Sequence, residues 1–133
     1  MKAVVQTEYG VFAVDLETEE IEPTDLEASG SEPPTLTLPR VVTAAAEGST
    51  IVAVVDRKPP LLLSHDAGLT WREAGGGLPS GKAVAISEDD PDLIVYASRN
   101  RLHVSENGGI FWRALTVELP EITAVSLEDL AGV

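Results

Sequence analysis

Ser64-His65-Asp66-Ala67-Gly68-Leu69-Thr70-Trp71 and Ser105-Glu106-Asn107-Gly108-Gly109-Ile110-Phe111-Trp112 are two copies of one octapeptide pattern, 41 residues apart. The first reads Ser-x-Asp-x-Gly-x-Thr-Trp in full. The second keeps Ser, Gly and Trp, with Asn107 in place of Asp and Phe111 in place of Thr. A repeat of about 40 to 45 residues is the length of one four-stranded propeller blade.

Turn chemistry explains why such a unit recurs. An Asp or Asn side chain bonds its own backbone a few residues on and holds a tight turn closed. Gly68 and Gly109 suit a position that needs positive φ. Trp71 and Trp112 are expected to open the outgoing strand and bury a large ring against the hairpin. The unit resembles the Asp-box, or BNR, repeat of sialidases, sortilin-type receptors and photosystem assembly factors. The chain as a whole resembles small haloarchaeal Asp-box propellers, a likeness that implies a fold and no particular activity. The Asp-box resemblance places the corner between the third and fourth strands of a blade, on the face opposite the ligand site. It makes Ser64, Asp66, Gly68, Thr70, Trp71, Ser105, Asn107, Gly109 and Trp112 structural.

Leu-Pro dipeptides supply a second punctuation. They fall at Leu38-Pro39, Leu78-Pro79 and Leu119-Pro120 and cut the chain into 39, 40, 41 and 13 residues. The two middle pieces, 40–79 and 80–120, read as complete blades. Strands are expected at 41–46, 50–56, 60–64 and 70–74, then at 83–87, 93–98, 101–105 and 111–115, from runs of Val, Ile, Leu and Ala bounded by turn residues. Residues 121–126 match a first strand, 3–6 a second and 10–15 a third, with a degenerate hairpin over 15–22. The ends, 121–133 and 1–39, therefore make one split blade. Its surplus length lies in 27–35, a Pro/Ser/Gly/Glu stretch that reads as an exposed loop.

The expected fold is all-β: one domain, 1–133, with three propeller blades. Known propellers carry about 4 to 8 blades, so three cannot close. An open arc leaves edges that invite another chain. The economical closure is a head-to-tail homodimer of six blades, in which strand 121–126 of each chain completes the first blade of the other. Pairing with a different three-blade chain, or excision from a longer one, are the alternatives.

Composition narrows the partners. Net charge is −13, from 22 acidic and 9 basic residues, only three of them lysine. That charge repels nucleic acid and anionic membranes at long range. It also suits a salt-rich interior, where the Debye length falls to about 3 Å at 1 M salt. There is no cysteine, no run long enough to span a bilayer and no signal-peptide core, so a halophilic cytoplasmic protein is expected.

In a propeller the loops joining strands two and three, and those joining blades, share one face. Arg40, Arg57, Lys58, Lys82, Arg99 and Arg101 fall there, with Tyr9, and form a candidate anion-binding face. Glu47, Glu88, Asp89, Asp90, Asp92, Glu128 and Asp129 fall on the other. Such cations can equally well be solvated or pair with nearby Glu. No catalytic constellation is legible. The arginine motif of sialidases is missing, and neither Tyr9 nor Tyr96 has an acid–base pair that the sequence certifies. His65 and His103 are isolated, and no metal spacing occurs. Gly75-Gly76-Gly77 reads as the turn into the next blade, since it lacks the Lys-Ser/Thr of a phosphate loop. No cofactor is implied. The leading expectation is a non-catalytic interaction scaffold. A binder of acidic glycans or another anionic ligand comes second, and a sialidase-like hydrolase third.

Overall fold

A computed structural model describes residues 1–26 and 40–128. The loop expected over 27–35, and Asp129, lie outside the described residues. Among the described residues all regular structure is β. The strands are β1 (Lys2–Thr7), β2 (Gly10–Asp15), β3 (Ile21–Pro23), β4 (Val41–Glu47), β5 (Thr50–Val55), β6 (Leu61–Ser64), β7 (Arg72–Ala74), β8 (Ala83–Ile86), β9 (Ile94–Ala97), β10 (Leu102–Ser105), β11 (Arg113–Ala114) and β12 (Ile122–Glu128). Among the described residues no helix is long and apolar enough to cross a membrane.

The strands form three four-stranded antiparallel sheets. Sheet I has the order β12-β1-β2-β3, sheet II β4-β5-β6-β7 and sheet III β8-β9-β10-β11. Each is an up-and-down meander apart from the one strand that sheet I takes from the far end of the sequence. The central strands β5, β6, β9 and β10, and the edge strand β8, are buried throughout and mostly apolar. Such strands read as continuous Val/Ile/Leu runs because both sides are covered.

Two apolar layers glue the sheets together. Val52, Val54, Leu61 and Leu63 of sheet II meet Val84, Ile86, Ile94 and Tyr96 of sheet III. On its other face sheet III packs Val95, Leu102, Val104 and Leu115 against Ala3, Val5, Val14 and Ile122 of sheet I. Sheet III is thus the middle of three. Burying each such Val or Leu is worth about 1.5–3 kcal/mol, so these two layers dominate cohesion.

Strand β12 completes sheet I beside β1, as the split blade of 121–133 and 1–39 requires, from Lys2↔Glu128 to Thr7↔Ile122. In this structure of one chain that β1 is its own, where the closed ring was expected to take it from a second copy. Local bonds direct it there. Leu119 N–H donates to the Asn100 carbonyl at 2.9 Å and Ile122 N–H to the Arg99 carbonyl at 2.8 Å, which aims the chain along the β9–β10 turn. It also runs two residues further than expected.

The outgoing strands β7 and β11 are shorter than expected, because the preceding corner consumes residues 67–71 and 108–112 in side-chain bonds. The hairpin over 15–22 forms without Gly or Trp. The Asp15 carboxylate accepts from the Glu17 and Thr18 N–H groups at 2.8 and 2.9 Å, and Glu19 takes the positive φ of 62°.

Candidate functional site

The first strands of the three sheets, β4, β8 and β12, lie side by side and line a cleft of about 610 Å³. Its walls are small: Thr43, Ala45, Ala83, Ala85 and Ala124 come from the three strands in turn. Small side chains on the innermost strand leave room where three sheets converge. The meanders put the starts of all three strands at one end and their finishes at the other. Lys82 lines the starting end, whereas Glu47, Glu88 and Glu128 line the finishing end. The cleft is therefore polarised along its length. Among the described residues its lining holds no His, Cys or Tyr, and no group of three or more His, Asp or Glu is placed to hold a metal ion.

The candidate cations gather at the starting end, but several already have partners. Arg101 Nη2 lies 3.0 Å from Glu118 Oε1, and Arg99 Nε lies 4.0 Å from Glu121 Oε1. Lys58 Nζ donates to the Leu78 carbonyl at 2.9 Å. Arg40, Arg57 and Lys82 are exposed and make no ion pair among the described residues. Exposed pairs of this kind contribute only about 0–1 kcal/mol, so they do not lock the arginines against a ligand. Lys82 alone of the six lines the cleft.

The two octapeptide corners sit at the opposite end. In the first, the Ser64 hydroxyl donates to Asp66 Oδ1 at 2.7 Å and accepts from Gly68 N–H at 2.8 Å. Asp66 also accepts from the Thr70 amide at 2.9 Å and from the Thr70 hydroxyl. The Thr70 hydroxyl, then the Thr70 amide and the Ser64 hydroxyl, pull the Asp66 pKa down to about 2. Trp71 Nε1–H closes the corner on the Gly68 carbonyl at 3.1 Å. The second corner repeats the scheme with Ser105, Asn107, Gly109 and Trp112. Gly68 and Gly109 adopt φ of +93° and +89°, as the turn requires. All nine corner residues thus work on their own hairpins. Both Trp rings are half-buried rather than enclosed.

Some residues that matter were not singled out in the sequence. Arg72 Nη2 donates to the Gly108 carbonyl at 2.8 Å, and Arg113 Nη2 to the Leu16 carbonyl at 2.7 Å. Each stitches one sheet to the next. Their spacing of 41 residues was the available signal. Tyr96 is fully buried and donates to the Pro79 carbonyl, and burial pushes its pKa up to about 12, so it belongs to the core. His65 is exposed on its corner. His103 is buried in β10 beside Tyr96, with ring centroids 5.8 Å apart.

No protein-family model matches this sequence, and no curated protein does either.

Proposed function

We propose that the chain is a non-catalytic β-propeller binding module, with three blades per chain and two copies closing a six-bladed ring. In this reading the three sheets are blades and the octapeptide corners are Asp-boxes. The chain serves as an interaction scaffold whose binding surface is the inner cleft and its cationic end.

One observation carries the reading: the outer face of sheet II repeats the inner face of sheet III. Sheet III buries Ile94, Tyr96 and half-buried Trp112 against sheet II. The same repeat positions, 41 residues earlier, are Ala53, Val55 and Trp71, and they join Ala44 and Leu62 in an apolar cluster on the far side of sheet II. Among the described residues, the extensive contacts of sheet II with another sheet run through β8 alone. Val4 and Ala13 of sheet I pair across β1 and β2 as Val95 and Val104 do across β9 and β10. Each end of the arc thus repeats the residue pattern of a face packed inside it, and within the single chain these residues are already buried. A second copy that continues the stacking completes the ring with twofold symmetry.

Light scattering at high salt tests closure. Twice the 14.0 kDa chain mass is expected, and a monodisperse single chain overturns the ring. A pull-down from native lysate, with an acidic-glycan array beside it, tests the ligand class. A reproducible protein partner with a blank array supports the scaffold. Selective glycan binding that is lost in Arg99→Ala/Arg101→Ala replaces it with the anionic-ligand reading.

A further inference from the structure

The two inter-sheet seams are not built alike at their outer rim. At the seam between sheets III and I, Thr116-Val117-Glu118 follow β11. Val117 packs on the apolar layer, and Glu19 accepts from the Thr116 amide and, at 3.0 Å, from its hydroxyl. The same repeat positions at the seam between sheets II and III are Gly75-Gly76-Gly77, and the rim there opens into a cleft of about 440 Å³. A Cβ on Gly76 or Gly77 would meet nothing within 4 Å, so this stretch adds little adhesion between the sheets.

The weaker seam also holds a buried histidine. His103 is 7% exposed and pairs with Tyr96 of β9 and Ala114 of β11. Strand pairing puts Leu62 at the same place in sheet II and Phe12 at the same place in sheet I, so packing at this position needs no imidazole. His103 Nε2 is buried without a hydrogen-bond partner, which is rare for a polar atom in a folded interior. The ring centroid lies 5.8 Å from that of Tyr96, whose hydroxyl is committed to the Pro79 carbonyl.

The charges around this ring are cations. Arg101, two residues earlier on the same side of the chain, has a buried Nε without a partner, while its Nη2 lies 3.0 Å from Glu118 Oε1. From sheet II, Lys58 donates to the Leu78 carbonyl and Arg72 to the Gly108 carbonyl. Glu73 pairs with Leu62 and so belongs to the outer face of sheet II. Among the described residues His103 makes no ion pair. Burial, and then the positive charge of Arg101, hold its pKa below the ordinary value, so the ring is neutral near pH 7.

We infer that His103 is an acid-operated release for the seam between sheets II and III: a proton taken up by the imidazole parts residues 75–78 from Tyr96 and Trp112, while the seam between sheets III and I stays closed. The proton adds an N–H donor and a charge where no acceptor waits, and an unpaired buried charge is costly. Water reaches the imidazolium only when the seam parts, and the rim without side chains is where it parts most readily. The closed seam favours the neutral ring. Its stability is therefore full above the ordinary histidine pKa and falls as pH drops below about 6.5. One proton bound on opening favours the open form by at most about tenfold per pH unit in that window. The release involves two sheets of one chain, so it stands whether or not a ring closes and whatever the ligand.

The chain has no cysteine, so a single introduced one reports on one seam. Ala74→Cys places it in the layer between sheets II and III, and Ala3→Cys in the layer between sheets III and I. The full chain is labelled with a pyridyl disulfide, and each rate is divided by that of a free cysteine peptide at the same pH. The corrected rate at position 74 should rise by up to about tenfold per unit below pH 6.5, and that at position 3 should stay level. His103→Leu, which copies position 62, and His103→Phe, which copies position 12, should each remove the rise. His65→Ala, at the only other histidine, should leave it in place. In the unsubstituted chain the Trp112 indole resonance should move with the titration of the His103 ring. A flat rate at position 74, an equal rise at position 3, or a rise that survives a folded His103 variant overturns the inference. Should neither His103 variant fold, a Trp112 resonance indifferent to the His103 titration overturns it.

Discussion

The corners at 64–71 and 105–112 share a backbone design and differ in what holds it. In the first, Asp66 gathers bonds from the hydroxyls of Ser64 and Thr70 and from the Thr70 amide. In the second, Asn107 gathers one from Ser105 and one from the Phe111 amide. The first compensates for a poorer backbone, since Ala67 sits at φ 60° where the second has Gly108 at 71°. Their tryptophans differ too. Trp112 lies at the seam between sheets II and III, edge-on to Tyr96 at 6.2 Å, whereas Trp71 lies on the outer face of sheet II. A turn can therefore be held by charge and hydroxyls or by glycine and neighbours. The same hairpin results.

The largest expected difference is between the tryptophans. Trp112→Ala should cost about 3 kcal/mol, the low end for a large aromatic because the ring is half-buried. Trp71→Ala should cost about 2 kcal/mol or less in an isolated chain, since fewer partners are lost. Chemical denaturation of both variants checks this. Equal losses at high concentration that separate on dilution would mean that a second copy covers Trp71. Equal losses at every concentration would erase the distinction between seam and outer face.

A smaller effect follows from acid. The Asp66 pKa is lowered to about 2, well below the ordinary carboxylate value, chiefly by the Thr70 hydroxyl. A carboxylate depressed on folding contributes stability that is present above its unfolded pKa and lost as pH falls through the folded one. The first corner should therefore weaken between about pH 4 and pH 2. The second, held by a neutral amide, should not. Melting curves of wild type and Asp66→Asn across that range should converge at the acid end. A constant gap between them breaks the comparison.

The smallest expected effect is a gain. Ala67→Gly copies the residue of the second corner and relieves a left-handed alanine, stabilising by up to about 1 kcal/mol. Gly108→Ala should do the reverse. A stability loss from Ala67→Gly would show that the first corner is not strained at that residue.

Much of the sheet plan was legible, because a 41-residue repeat and Leu-Pro punctuation both report hairpin spacing. The strands of sheets II and III fall within a few residues of their sequence readings. The partner strand of β12 was legible from the split blade, but the chain that supplies it was not. An apolar alternation in residues 122–127 fits any open strand edge, and only the bonds of Leu119 and Ile122 to the β9–β10 turn choose the same chain. The fate of the arginines was hidden as well. Glu118 and Glu121 reach Arg101 and Arg99 from 17 and 22 residues away, across a turn whose path the sequence does not state. The rim cleft was visible only as a triple glycine. Its meaning emerged once positions 75–77 and 116–118 lay on equivalent seams with and without side chains.

The pairing of β1 with β12 also orders events in time. Lys2 and Glu128 are neighbours in sheet I although nearly the whole chain separates them. Closing so long a loop carries an entropic cost, growing with the logarithm of its length, before any contact rewards it. During synthesis at about 5–20 residues per second, β1 and β2 exist for roughly 6–25 seconds before β12 has been made. Sheets II and III, whose strands are consecutive, can form meanwhile. The nascent hairpin of sheet I then waits with one apolar edge unpaired. Refolding should show a fast phase that buries Tyr96 and Trp112 and a slower one that protects the amides of residues 3–6.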